Sequence, residues 1–250
     1  VRDSTTLRIT AAEPGRAGLV LHLRDLLDDA VPLHVRYARE VAFTDRHVGM
    51  LLDSLRAGGR YDETLIVFTA DHGEALGEKG WLGHVHTLYD AAMRIPLIVK
   101  PPRGSGFETG VRRTDQAAIV DIVPTILARL GMPPLPGVRG RDLLAQGAED
   151  AATAIFMETH RPEAERDLYG LRVDGHKIIH EPATGAWEYY DLTADPGELT
   201  DLAAEAGADF ERHRDLLLAM LARLDTGAGR SATEAEIDAH TAEMLRSLGY

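Results

Sequence analysis

The chain has 250 residues, 44% of them hydrophobic and none of them cysteine, and a formal net charge of −13. That charge, with no clustered basic face, excludes a phosphate-neutralising nucleic-acid surface. The absence of cysteine excludes disulfides, thiolate metal sites and cysteine nucleophiles within these residues, and no apolar run approaches the ~20 residues that span a bilayer.

In chain order, the first 30 residues are mixed and Asp3 to Gly18 reads as a loop. Tyr37, Val41, Thr44, Val48, Leu51, Leu52 and Leu55 then recur at spacings of three and four, which predicts a helix with one apolar stripe, stopped by Gly58-Gly59. Thr64 to Thr69 is a continuous β-branched and aromatic run without polar alternation, as expected of a parallel strand buried on both faces. A glycine-rich loop with Trp81, His84, His86 and Tyr89 leads to a second short strand, Ile95 to Val99, which Pro96 places at an edge or a strand start. Asp121 to Leu130 predicts a helix with Asp121 as N-cap and Gly131 just past its end.

Beyond Leu144 the character changes. Ala145 to Ala152 reads as a linker, and Tyr169 to Val173 and His176 to His180 form a hairpin through the two-residue turn Asp174-Gly175. Trp187 to Leu192 is a third strand, Phe210, Leu217, Leu221 and Leu224 stripe a helix, and Glu234 to Leu248 predicts a short terminal helix. His176, His180, Trp187 and Tyr189 are expected to pack as an aromatic strand against that striped helix.

The chemistry concentrates where the first strand ends, in Asp71-His72-Gly73-Glu74. Open α/β sheets bind ligands beyond the carboxyl ends of their strands, so Asp71 and His72 stand where metal ligands are delivered. From spacing alone an equal alternative is a strand-to-helix turn that Asp71 merely caps.

Thr69 to Glu74, Gly77-Glu78-Lys79-Gly80, Leu88-Tyr89-Asp90 and Arg94 to Val99 follow one another in an order that resembles the second half of a sulfatase of the alkaline-phosphatase superfamily. Tyr37 to Val41 with Asp45 and Gly49, Val120 to Thr125, Tyr190-Asp191-Leu192 and Asp195 to Glu198 continue the resemblance, and Leu245 to Tyr250 is similar to a tail of some bacterial members. The resemblance implies an α/β fold with an alkaline-phosphatase-like core sheet flanked by helices and a small C-terminal antiparallel sheet with a helix. It divides the chain into residues 1–144, 153–225 and a helical tail at 231–250.

It further implies a sulfuric ester hydrolase holding one divalent cation, with Asp71 and His72 as metal ligands. Calcium is the leading cation; the imidazole, where many relatives carry asparagine, leaves manganese or zinc open. His84 and His86 stand where relatives place a sulfate-contacting lysine, His84 being favoured, and Arg94 and Lys100 are candidate substrate contacts. The partner expected is a small-molecule or carbohydrate sulfate ester.

Neither a Cys-x-Pro-x-Arg nor a Ser-x-Pro-x-Arg signature for a formylglycine nucleophile occurs in these residues. The expectation is therefore part of a longer enzyme that supplies its nucleophile elsewhere. A phosphodiesterase or phosphotransferase of the same superfamily and a truncated non-catalytic module remain as alternatives. Oligomeric state and localisation, whether periplasmic, secreted or cytoplasmic, stay open.

Overall fold

The computed structural model describes residues 32–84, 86–107, 109–145, 154–161, 166–205 and 207–226. The chain separates into two compact units that interleave in sequence. One takes the chain up to Gly83 together with Ile95–Arg112, and the other takes His84–Arg94 together with the chain from Arg113 onward. The boundary expected between 144 and 153 lies within the second unit, and the predicted helix Glu234 to Leu248 lies outside the described residues.

In the first unit the three-and-four periodicity produces α1, Leu33–Ala57. Pro32 precedes it, and its carbonyl accepts the amides of Val35 and Arg36 at 2.9 and 3.1 Å. The helix stops as expected at the glycine pair, where Gly59 turns left-handed at φ 68° and the Arg60 amide returns to the Leu55 carbonyl at 2.9 Å. No residue of α1 is buried, however, and Val41 and Leu51 are 51% and 62% exposed. Periodicity dictates a helix with an apolar face; burial of that face requires a second surface.

The run after α1 forms β1, Ile66–Thr69, and the second short strand forms β4, Leu97–Lys100. They pair antiparallel, Ile66 opposite Lys100 and Thr69 opposite Leu97. The parallel reading of this strand is therefore corrected for its pairing within this chain. A continuous β-branched run records what its two faces touch, not the direction of the neighbouring strand. Between them lies a two-rung hairpin, β2 (Ala75–Leu76) and β3 (Leu82–Gly83), with Ala75 opposite Gly83.

The second unit is built on an antiparallel meander, β5 (Ile155–Arg161), β6 (Arg166–Val173), β7 (His176–Glu181) and β8 (Ala186–Asp191). The β6–β7 hairpin is as predicted. Val173 pairs with His176, and Asp174 and Gly175 adopt φ 49° and 75°, the mirror-image turn whose twist matches the strands. Strand β5 escaped the sequence reading.

Side-chain alternation along the meander separates two apolar clusters. Met157, Leu168, Ile179, Tyr190 and Leu192 gather with Leu88 in one, and Leu171, Val173, Ile178, Tyr189, Phe210 and Leu217 form the other. Phe210 and Leu217 belong to α4, Ala208–Thr226, which confirms the aromatic strand packed on a helix. His180 stacks on Trp187 with ring centroids 3.9 Å apart, and the Trp187 and Tyr189 rings meet Phe210 edge-on.

Before the sheet comes the short helix α2, Asp90–Met93, and then α3, Ile122–Arg129. Asp121 does not cap α3 with its side chain, as the sequence reading expected. Its carboxylate instead accepts the amides of Ala118 and Arg141 at 2.8 and 2.9 Å, which ties the segment after the helix back to its start. Gly140 is required there, since a β-carbon would lie 1.9 Å from the Val120 carbonyl oxygen. Among the described residues no helix is long and apolar enough to cross a membrane.

Candidate metal centre

Strand β1 ends at Thr69, and the chain leaves it through Asp71, His72, Gly73 and Glu74 before entering β2. The Asp71 carboxylate accepts the His72 amide at 3.0 Å, an arrangement that folds the two side chains toward each other. The His72 Nδ1 lies 2.8 Å from the Gly73 carbonyl, which can only accept, so Nδ1 is the donor there and Nε2 is the ring nitrogen turned toward Asp71. Nε2 stands 3.7 Å from Asp71 Oδ2. Backbone hydrogen bonding of one ring nitrogen, which orients the other, is the usual support of a metal-bound imidazole.

The donor set also draws in Glu74, which was not among the expected ligands. Ligand atoms of Glu74 and His72 lie within 4.8 Å of each other. The two residues stand two positions apart in the sequence, and that spacing was the available signal. The Glu74 carboxylate lies over Gly83, where a β-carbon would be 3.7 Å from Oε1. Two carboxylates and an imidazole at one strand exit are donors suited to a divalent cation.

The other predicted residues divide between the units. His84 and His86 are half-buried and open the second unit directly after Gly83, and His86 adopts a left-handed φ of 60° that side-chain-bearing residues rarely take. Arg94 is exposed just past α2. Lys100 lies in the first unit, where its ammonium donates to the carbonyls of Tyr61 and of Thr64 (3.0 Å) and sits 4.5 Å from the centre of the Tyr61 ring. Those contacts make Lys100 a clasp on the turn between α1 and β1.

The sulfatase family model matches residues 13–132, and the model for the C-terminal region of N-sulphoglucosamine sulphohydrolase matches residues 77–224. Over 180 residues the chain is 30% identical to the N-acetylglucosamine-6-O-sulfatase of Bacteroides thetaiotaomicron, covering 68% of this chain and 32% of that protein. It is 31% identical to the choline-sulfatase of Rhizobium meliloti over 172 residues, covering 67% and 32%.

Among solved structures, one in complex with its substrate D-glucosamine-2-N,6-O-disulfate superposes with a TM-score of 0.66 at 28% identity, over 75% of this chain and 40% of that one. The phosphonate monoester hydrolase of Silicibacter pomeroyi superposes at 0.57 with 28% identity, over 73% and 39%. The chain spans about a third of the length of the curated relatives it matches.

Proposed function

This chain belongs to the sulfatase family and has its alkaline-phosphatase-like fold, and on that premise we propose that it serves the metal-dependent hydrolysis of a sulfate ester. In this reading Asp71 and His72 hold the cation, and His84, with His86, contacts the sulfate. The supporting observation is the His72 ring, locked by the Gly73 carbonyl so that Nε2 faces the Asp71 carboxylate. When bound, a divalent cation polarises the ester and stabilises charge on the attacking oxygen. Calcium is assigned first and manganese or zinc second, because the oxygen donors suit calcium while the imidazole suits the others.

His84 and His86 contribute imidazole N–H donors to sulfate oxygens, and either can hold the proton that a leaving alkoxide requires. Arg94 offers a bidentate charge for the same anion. The nucleophile is assigned to a formylglycine outside these 250 residues. A carbohydrate sulfate is the first substrate class to assay, since a solved relative binds a disulfated glucosamine.

The test is made on the full-length protein. Asp71→Ala should lower both bound metal, by elemental analysis, and turnover of sulfate esters, by about 100-fold or more, with circular dichroism unchanged. His84→Ala should lower turnover at least about 100-fold while the metal is retained. Full metal content and full activity in Asp71→Ala would overturn the assignment.

Similarity to a phosphonate monoester hydrolase and, at 29% identity, to the multifunctional protein PehA of Trinickia caryophylli favours one second reading, phosphoryl transfer or phosphodiester hydrolysis. A larger kcat/KM on phosphonate or phosphodiester than on sulfate substrates would select it.

A further inference from the structure

The second unit holds a buried ion network that the proposed chemistry does not use. Lys177, the second residue of β7, is fully buried. Its ammonium donates to the Leu88 carbonyl at 3.0 Å and to the Asp90 carboxylate, and it pairs with Glu198 Oε1 at 2.8 Å. Arg172 on β6 reaches both oxygens of Asp90 from Nη1, at 3.0 and 2.7 Å. Two cations therefore face two anions, with Glu198 also accepting the Asp90 amide at 2.7 Å.

All of these bonds converge on one short segment. Leu88, Tyr89 and Asp90 are seized through a carbonyl, a hydroxyl, an amide and a carboxylate by groups from β6, β7, β8 and the loop after β8. The Tyr89 hydroxyl donates to Glu188 at 2.7 Å, where the Tyr190 hydroxyl also donates at 2.5 Å, and the Leu88 side chain is 1% exposed in an apolar cluster. At both edges of the arrangement a side-chain-bearing residue is held left-handed, His86 at φ 60° and Glu198 at φ 55°. Such conformations persist only where the surroundings over-determine them.

A buried ion pair is weak evidence for stability, since well-packed apolar residues of similar volume usually serve as well or better. What apolar packing does not supply is a fixed orientation for a segment without regular structure. We propose that Lys177 is a positioning residue: through Leu88 and Asp90 it anchors the segment that presents His84 and His86, so the C-terminal sheet governs turnover without touching the substrate. This rests on the sulfate-contacting role assigned to those histidines.

The experiment is Lys177→Met and Lys177→Arg in the full-length protein, read by amide hydrogen exchange of the peptide covering 84–94, by kcat and KM on a sulfate ester, and by metal content. Lys177→Met should speed exchange in 84–94 while β7 and β8 stay protected. It should lower kcat/KM by about 100-fold with metal retained, and Lys177→Arg should recover part of both. Unchanged exchange in 84–94, or normal turnover despite faster exchange, would overturn the proposal.

Should Lys177→Met fail to fold, Glu198→Gln, which keeps an acceptor and removes a charge, is read by the same criteria. A wild type without sulfatase activity would sink the hydrolase reading, and the exchange result then decides the anchoring by itself.

Discussion

The unit that carries Asp71 and His72 and the unit built on β5–β8 are held together by different means. The first has a 25-residue helix with no buried residue, a strand pair four residues long, and polar clasps such as Lys100 on the Tyr61–Thr64 turn. The second covers both faces of one sheet with its own side chains and buries Leu171, Ile178 and Leu217 completely. Apolar cohesion therefore resides in the second unit, while the proposed metal ligands lie in the first. Asp71 and His72, the proposed ligands, sit at a strand exit, one exposed and the other half-buried, whereas His84 and His86 lead into a segment whose Leu88 is buried in an apolar cluster.

Truncation sharpens that contrast most. Leu217→Ala should cost about 2–5 kcal/mol in chemical denaturation, because a filled core site loses both its transfer energy and its packing. Leu51→Ala, on the exposed face of α1, should stay within about 0.5 kcal/mol. Equal costs would abolish the distinction between the two units.

Acid should act next on the ion network. Burial alone would raise the Asp90 carboxyl, but Lys177 and Arg172 outweigh it and hold the group below its ordinary 3.8. A depressed carboxyl contributes stability that is complete above about pH 4 and is lost as pH falls through its folded value. Denaturation midpoints of wild type and Asp90→Asn should therefore converge below about pH 4. A gap independent of pH would remove the charge from the account.

The smallest effect is expected at His213 on α4. Its Nδ1 meets the Tyr189 hydroxyl at 3.0 Å, its ring lies 5.6 Å from that of His176, and Arg212 and Asp174 flank it. Burial first, then Arg212, lowers its pKa from 6.5, with Asp174 opposing. The unfolded chain thus binds the proton more readily, so stability should fall as pH drops below about 6.5 and be flat above it. His213→Gln should flatten that slope relative to wild type; an unchanged slope would place the sensitivity elsewhere.

Much of this was legible in the sequence wherever a local rule suffices. The period of α1 and its glycine stop, the Asp174-Gly175 turn, the stripe of α4 and the polar exit after Thr69 follow from backbone sterics and side-chain alternation over a few residues. The resemblance carried by Thr69 to Glu74 and Arg94 to Val99 pointed to the family in the same way, through short motifs in a fixed order.

Tertiary structure alone decided what each element meets. The direction of the β1 neighbour, the exposure of the α1 stripe, the use of Asp121 as a tie rather than a cap and the commitment of Lys100 to a turn all depend on groups distant in sequence. Lys177 is the clearest case. Within His176-Lys177-Ile178-Ile179 it looks like an ordinary strand lysine, and its partners Leu88, Asp90 and Glu198 lie 89, 87 and 21 positions away. A buried charge is tolerated only where its counter-charges converge, and convergence is a property of the fold.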